Sequence, residues 1–430
     1  MSRYRIVIRA FTLRRDAAAA MLFAELLKQK GADVVIASGR DFQRTVRRWN
    51  PDAIIVNTVG QIPRLMKQAP EAAIVLWPGE GAQAIESSDA MQLGEWPDAY
   101  ERLDLALLWG RKTKEFFHQT LPDADHSKLV VCGNPRLDVT KFNPGLVTRE
   151  RKTVGFVGRY HSLNRYNAVP AVFSLQYPHK RDGVVWQVEN FISMITIIHR
   201  IIEETDLNIS IRPHPLEAPE GYDFVNEGPF KGRIEIDDSV DLAAWTARQR
   251  VIVAPSSQSF YESYVLRIPT INLDPLTGNA ELIRRLTPHA AMSQLVSFNP
   301  ETYDEVMALI ADPPEAPHTN DELDRHLDEF HDWFTPHSAL SRGADATMNM
   351  LQNRTRPRGR HLPTPLLNLW DRLSFLRVHR RDPLHQNFNF HKNFHHPPAY
   401  FDEILDNIEA GQTLLQANMS RSEGIETDAA

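Results

Sequence analysis

Short runs of apolar and β-branched residues alternate with segments of helical periodicity over most of the chain. In the first part, the runs that read as strands are 4–9, 33–37, 53–57, 73–77, 105–109 and 128–132. The segments with a helical pattern between them are 16–30, 41–49, 61–68 and 112–120. Strands that alternate with helices are typical of parallel sheets with crossover helices. The pattern predicts a doubly wound, Rossmann-like α/β domain over residues 1–140.

The same pattern restarts after a charged segment, 141–152, which contains Pro144 and Gly145 and has no clear period. We interpret that segment as a linker between domains. A second Rossmann-like domain is predicted over 153–335, with strands at 153–157, 208–212, 233–236, 251–254 and 270–273 and helices at 185–205, 240–248 and 259–266. A closing helix (336–351), a basic and His-rich extension (352–418) and a disordered tail (419–430) complete the prediction.

Composition narrows the class of protein. The net charge of −7 argues against a general nucleic-acid binder. The single cysteine, Cys132, cannot form an internal disulfide and fits a reducing compartment. The N-terminal apolar run is too short for a signal peptide, and no stretch reaches the roughly 20 apolar residues of a membrane span. We therefore expect a cytoplasmic protein.

The most informative motif is ISIRPHPLE, residues 209–217, in which an apolar strand leads directly into Arg212-Pro213-His214-Pro215. Proline fixes its own φ angle and favours an extended residue before it, so His214 is held by a stiff backbone at a strand end. An imidazole donor beside a guanidinium suits a phosphate. A plain strand-end turn with a surface histidine is the alternative reading.

A second motif, in residues 251–274, reads strand, tight turn, helix and strand. Ser256, Ser257 and Ser259 lie at the turn and the helix start, where hydroxyls and backbone N–H groups bind anions. Glu262 follows one turn later and could accept hydrogen bonds from a ribose. The same residues also fit an ordinary N-cap with a capping box, and the sequence leaves both readings open.

Two motifs follow strands of the first domain. Gly133-Asn134-Pro135-Arg136 comes after its last strand and predicts a cleft or hinge contact, or a structural turn. Glu80 lies between two glycines in PGEG, where a carboxylate could act as a general base for an acceptor hydroxyl. An exposed turn acid is the alternative for Glu80.

A further loop, FVGRYH, carries Arg159 and His161 after the first strand of the second domain. It would lie over donor phosphates, but it has too few glycines for a dinucleotide or P-loop fingerprint, and a plain surface loop is the favoured reading. No metal site is predicted. The pair Asp237-Asp238 lacks a third ligand, and the His-rich segment 385–396 matches no standard zinc spacing.

These motifs together resemble the bacterial surface-carbohydrate biosynthesis proteins, which are similar to CDP-glycerol glycerophosphotransferases and to capsular sialyl- and Kdo-transferases. The resemblance covers residues 1–350. It implies a GT-B fold, two Rossmann-like domains facing across a cleft, with the activated donor in the second domain and the acceptor on the first.

The resemblance also implies roles for individual residues. The histidine of the HP motif contacts the donor phosphate in such enzymes, which assigns that role to His214 with Arg212 and Arg159 nearby. Ser256 and Ser257 would contact the phosphates of the leaving nucleotide, a cytidine nucleotide by this resemblance, and Glu262 its ribose or base. The glycerophosphotransferases have a histidine where this chain has Glu80, which favours glycosyl over polyol-phosphate transfer. No cofactor is expected.

The basic segment 354–381 interleaves arginines with leucines and Trp370. That composition suits an interfacial segment at the anionic inner membrane, and equally an arm that wraps the protein or a partner. The expected ligands are a nucleotide-sugar donor and a glycan or lipid-linked acceptor. Two rival functions stay open: nucleotide-sugar 2-epimerase chemistry, and a non-catalytic binding component of a polysaccharide assembly complex.

Overall fold

The computed structural model describes residues 4–10, 13–37, 39–78, 97–143, 146, 151, 153–165, 171–239, 241–278, 294–314, 320–354 and 400–414. The chain forms two compact units. The first comprises the described residues of Met1–Pro144 and of Arg325–Ala430, and the second those of Gly145–Asp324. Residues 355–399 and 415–418 of the predicted basic extension lie outside the described residues, as does the whole predicted tail.

The first unit is built on a six-stranded parallel sheet with the order β2-β1-β3-β4-β5-β6. Its strands are β1 Arg5–Arg9, β2 Asp33–Ala37, β3 Ala53–Val56, β4 Ala73–Leu76, β5 Leu105–Leu108 and β6 Leu129–Val131. The strands β3 and β4 are buried at every position, as expected when helices cover both faces of a parallel sheet.

The second unit is built on a five-stranded parallel sheet with the order β11-β10-β7-β8-β9. Its strands are β7 Thr153–Val157, β8 Asn208–Arg212, β9 Ile234–Ile236, β10 Gln249–Ala254 and β11 Thr270–Asn272. From β7 the chain adds β8 and β9 on one side of the sheet, and it then adds β10 and β11 on the other side. The point between β7 and β10 is therefore the topological switch, where such folds bind ligands.

The helices, in chain order, are α1 Leu13–Gln29, α2 Gly39–Trp49, α3 Ile62–Gln68, α4 Pro97–Arg102, α5 Arg111–Thr120, α6 Pro135–Lys141, α7 Ala171–Leu175, α8 Pro178–Glu204, α9 Leu242–Ala247, α10 Ser259–Val265, α11 Tyr303–Ala311, α12 Asp321–His331, α13 Ala339–Asn353 and α14 Tyr400–Ala410. Short 3₁₀ turns occupy Val59–Gln61, Pro219–Asn226, Gly228–Phe230 and Asp274–Thr277. None of these described helices has an apolar stretch that could cross a bilayer.

The second unit ends earlier than the predicted boundary at residue 335, because the chain belongs to the first unit from Arg325, within α12, onward. The backbone carbonyl of His331 accepts a hydrogen bond from Asn134 N at 2.9 Å. The buried ammonium of Lys141 donates to the Trp333 carbonyl at 2.7 Å. Asp138 Oδ2 accepts from Ser338 Oγ at 2.6 Å and from Leu340 N at 2.9 Å. These polar contacts at α6 anchor the returning segment.

Candidate functional site

Three neighbouring strands of the second unit, β10, β7 and β8, end at the same edge of their sheet. The loops that follow them carry Ser256, Arg159 and His214 respectively. Because β7 lies between the other two, Arg159 occupies the middle of this edge, next to the switch point. The structure therefore brings three of the residues singled out in the sequence to one edge of one sheet.

The guanidinium of Arg159 joins the loops after β7 and β10. It donates from Nη1 to the backbone carbonyl oxygen of Ser256. Its Cζ lies 5.3 Å from the ring centroid of Trp186 on α8, within the range of a cation–π contact. Arg159 is half-buried, so a permanent positive charge is held at the switch point with its orientation defined on two sides.

His214 is oriented by its own loop. The Leu216 N–H donates to His214 Nδ1 at 3.1 Å, which places the proton of the neutral imidazole on Nε2. The His161 ring lies beside it, with 5.2 Å between centroids. Burial, followed by the charges of Arg159 and Arg165, lowers the pKa of His161 to about 4. His161 is therefore uncharged near neutral pH. The sequence marked it only as a residue of a surface loop.

Glu217 fixes the loops after β7 and β8 to one another. This carboxylate is fully buried and accepts from Tyr160 N and, at 2.6 Å, from the Tyr222 hydroxyl. Gly158 is tightly enclosed at the same place, since a Cβ there would lie 2.6 Å from Glu217 Oε2 and 3.2 Å from His214 N. Sequence reasoning missed Glu217. Its position two residues after the Pro-His-Pro turn was the available signal.

Asp274, also absent from the predicted set, organises the other side of the edge. Its Oδ2 accepts from Ser256 N at 3.1 Å and from the Ser256 hydroxyl. Its Oδ1 accepts from Trp186 Nε1 at 2.9 Å. Ser256 is fully buried, and its hydroxyl proton is directed to Asp274. Ser256 thus has an internal partner, and its predicted contact with a nucleotide phosphate stays a prediction.

Arg212, which the sequence places at the donor phosphate, also has internal partners. Its guanidinium is buried and donates to Asp237 Oδ1 at 2.6 Å and to the Ser239 carbonyl at 2.8 Å. Asp237 Oδ2 in turn accepts a hydrogen bond from Arg248 Nη2 at 2.9 Å. A buried guanidinium needs such partners, and Arg212 uses them to tie the end of β8 to the segment after β9.

The remaining residues predicted at the donor site, Ser257, Ser259 and Glu262, lie around the start of α10. Ser257 Oγ accepts from Ser259 N at 3.2 Å and contacts Ser259 Oγ at 3.0 Å, so Ser257 closes the turn into the helix. Ser259 and Glu262 are buried, with exposed fractions of 7% and 6%. The proposed contacts of these residues with a nucleotide stay predictions.

In the first unit, Asn134 is the N-cap of α6, where its side chain accepts from Arg136 N at 3.0 Å. Its Nδ2 lies 2.8 Å from His331 Nδ1. Gly133 has a φ of +102°, and a Cβ there would lie 2.9 Å from the Arg342 side chain. Both residues therefore shape the turn into α6, whereas Arg136 lines a cavity of the first unit. Glu80 lies outside the described residues.

Metal ligation has no support among the described side chains, which contain no group of three or more His, Cys, Asp or Glu residues arranged to hold an ion. Asp237, one of the two neighbouring aspartates weighed in the sequence, is instead paired with Arg212 and Arg248. The polar groups at the edge of the second sheet are thus suited to binding an anionic ligand through Arg159 and His214.

No protein-family model and no curated protein matches this chain. Among solved structures, the wall teichoic acid polymerase TagF aligns over 81% of this chain and 89% of its own, with a TM-score of 0.51 and 10% sequence identity. The chain has a GT-B fold. The predicted α/β class with two Rossmann-like units is confirmed by this alignment and by both sheets.

Two further GT-B-like structures align over similar shares of the chain at lower scores. The MnaA–UDP co-structure from S. aureus covers 84% of this chain and 100% of its own, with a TM-score of 0.48 and 13% identity. The UDP-GlcNAc 2-epimerase from Neisseria meningitidis bound to UDP-GlcNAc covers 81% and 100%, with a TM-score of 0.43 and 10% identity.

Proposed function

We propose that the chain is a glycosyltransferase of surface-polysaccharide biosynthesis, which moves a sugar from a CMP- or CDP-activated donor to a glycan or lipid-linked acceptor. The observation that carries the proposal is the position of Arg159 and His214 on the loops after two neighbouring strands, β7 and β8, at the carboxyl edge of the second sheet. These side chains supply a fixed positive charge and an imidazole donor at the position where Rossmann-like folds bind nucleotides.

The chemistry follows from the charge of the leaving group. As the bond from the sugar to the phosphate breaks, negative charge accumulates on the phosphate oxygens. Arg159 and the Nε2–H of His214 would stabilise that charge where it develops, which lowers the barrier of the transfer step. Glu80 is proposed as the base that takes the proton of the acceptor hydroxyl.

The anchoring residues suit this role, because charge stabilisation depends on groups that are oriented before the reaction. Arg159 is oriented by Ser256 and Trp186, and the loop of His214 is held by Glu217. Relative to the sequence-based set, the proposal moves the principal cation of the site from Arg212 to Arg159, since Arg212 is paired with Asp237.

A second candidate is polyol-phosphate transfer. It is favoured by the fold shared with TagF, whose name identifies a wall teichoic acid polymerase. Both candidates require a nucleoside monophosphate or diphosphate, as part of the activated donor, in the second unit. They differ in the group that is transferred. Incubation with a CMP-sugar and with CDP-glycerol in parallel, each with a glycan acceptor, distinguishes the two transfers, because mass spectrometry of the acceptor shows whether a sugar or a glycerol phosphate has been added.

The proposal is tested by nucleotide binding. We expect CMP or CDP, and not UDP or GDP, to raise the melting temperature, because a ligand that binds the folded state stabilises it. His214→Asn keeps an acceptor for the Leu216 N–H but removes the Nε2 donor, and Arg159→Gln removes the cation. Each should abolish most of the shift.

His199→Asn is the matched control, because His199 is an exposed histidine on α8 that packs against Phe230. It should leave the nucleotide shift unchanged. The assignment of the donor site would be wrong if none of the four nucleotides raised the melting temperature. It would also be wrong if His214→Asn and His199→Asn changed the nucleotide-induced shift to the same extent. Binding without donor turnover would instead favour a non-catalytic component.

A further inference from the structure

A second histidine, His161, lies beside His214 at the carboxyl edge of the second sheet. The two ring centroids are 5.2 Å apart, and the ring planes are tilted by 34°. The rings belong to loops that follow neighbouring strands, β7 and β8. Of this pair of imidazoles, the donor site as described so far uses only the one at 214.

The main chain is anchored on both sides of His161. Tyr160 N donates to the fully buried carboxylate of Glu217. Ser162 N donates at 2.8 Å to Oε1 of Gln187, a buried side chain on α8. Because the residues immediately before and after it are held, His161 has a defined position before any ligand binds, as a group that stabilises charge requires.

The two ring nitrogens of His161 have different surroundings. Nδ1 is completely buried and has no hydrogen-bond partner among the described residues. The ring as a whole is only half-buried, so its accessible part lies on the side of Nε2. In native structures an orphaned buried N–H is rarer than an under-satisfied buried acceptor, as backbone groups show. The neutral ring accordingly carries its proton on the accessible Nε2.

His161 is a donor without a charge. Burial, followed by the charges of Arg159 and Arg165, lowers its pKa to about 4. Near neutral pH the ring is therefore an imidazole with one N–H, and not an imidazolium. Such a ring can donate a hydrogen bond to an anion without placing a further positive charge beside two guanidiniums.

We infer that His161 is a second imidazole ligand of the phosphate bound at this edge, donating from its Nε2–H beside the Nε2–H of His214. Two donors on neighbouring loops can bind two oxygens of one phosphate group, and hydrogen bonds to an ionised acceptor are the stronger kind. The inference rests on the proposed function, since that proposal places a phosphate at this edge. It adds a residue that contacts the ligand directly.

The inference is tested by calorimetric titration of the full chain with CDP and with inorganic pyrophosphate. His161→Phe keeps an aromatic ring beside His214 but removes the N–H donor. Loss of one hydrogen bond to a charged group should weaken both ligands by about tenfold to a hundredfold. His161→Gln places an amide N–H near the position of Nε2 and should restore most of the affinity. His199→Phe changes an exposed histidine on α8 and should have no effect.

The position of the proton is measured separately, by NMR of protein labelled with ¹⁵N-histidine. The His161 signals are assigned from their absence in His161→Phe. They should show the proton on Nε2 in the free protein, and the Nε2–H signal should shift when pyrophosphate is added.

Wild-type affinity in His161→Phe would overturn the inference, because the ring would then act by packing alone. Weaker binding in His161→Gln than in His161→Phe, or a proton on Nδ1, would also overturn it. If His214→Asn lost affinity while His161→Phe did not, the donor site would stand and only the role of His161 would fail.

The proposed function can fail on its own in the same experiment. Binding of pyrophosphate that depends on His161, without binding of CDP or CMP, would keep His161 as a phosphate ligand and reject the cytidine donor. If the wild-type protein bound neither pyrophosphate nor a nucleotide, both the inference and the donor site would be rejected.

Discussion

Replacing Glu217 by leucine should destabilise the second unit by roughly 2–6 kcal/mol. The carboxylate is fully buried and accepts hydrogen bonds from Tyr160 N and the Tyr222 hydroxyl. Leucine fills similar space but accepts from neither donor, and each buried donor left without a partner costs about 1–3 kcal/mol. The upper part of the range applies if no water reaches the two donors.

Two further variants show how much of this free energy each of the two hydrogen bonds contributes. Tyr222→Phe removes one hydrogen bond to a carboxylate and should cost about 1.5–3 kcal/mol. Glu217→Gln keeps an acceptor for Tyr160 N and should be the mildest change. The free energy of unfolding is measured by urea denaturation followed by tryptophan fluorescence, and a double-mutant cycle of Glu217→Leu with Tyr222→Phe gives the coupling between the two side chains.

The same variants test whether Glu217 positions the site. Glu217 holds the loops of Arg159 and His214 together. Its replacement by leucine should therefore weaken nucleotide binding even at temperatures where the protein stays folded. A loss of stability below 0.5 kcal/mol for Glu217→Leu would refute the assignment of Glu217 as the buried anchor of these loops.

Three other predictions concern single residues. Gly158→Ala should lower the melting temperature and the nucleotide affinity together, because the added Cβ would lie 2.6 Å from Glu217 Oε2; an unchanged melting curve would contradict the enclosure. The pKa of His161 is lowered to about 4, below the value of about 6.5 of an unfolded chain. The unfolded state therefore binds more protons between these values, and stability should fall by up to about 3 kcal/mol as pH drops from 6.5 to 4; urea titrations of His161→Gln should show a flatter dependence. Burial raises the pKa of the Cys132 thiol to about 12, so native protein should resist iodoacetamide at pH 8 and react only once unfolded, as followed by mass spectrometry.

The fold was largely accessible from the sequence because its signals are local. Apolar runs such as 53–57 and 73–77 predicted strands that the structure places within a residue of those bounds. Rigid prolines around His214 predicted a defined strand-end turn, and the structure contains it. The edge of the second sheet could also be anticipated, since parallel strands bring their carboxyl ends together.

The partners of the polar residues were not accessible, because they depend on pairings distant in sequence. Arg212 resembles a phosphate ligand until Asp237 is seen 2.6 Å away. Ser256 resembles a helix cap for an anion until Asp274 is found to take its hydroxyl proton. Likewise, nothing local in residues 325–335 indicated that this segment belongs to the first unit, since Asn134 and Lys141 hold it from almost 200 positions earlier.

The return of the chain to the first unit has a consequence for synthesis on the ribosome. Asp138 accepts from Ser338, 200 positions later, so the buried Asp138 lacks this partner until residue 338 has been synthesised. At roughly 5–20 residues per second, the delay is about 10–40 s. The second unit is contiguous in sequence and is complete before then. The nascent first unit must therefore spend that interval without the contacts that α13 makes with α6, a period in which a chaperone that shields exposed surface would raise the yield of folded protein.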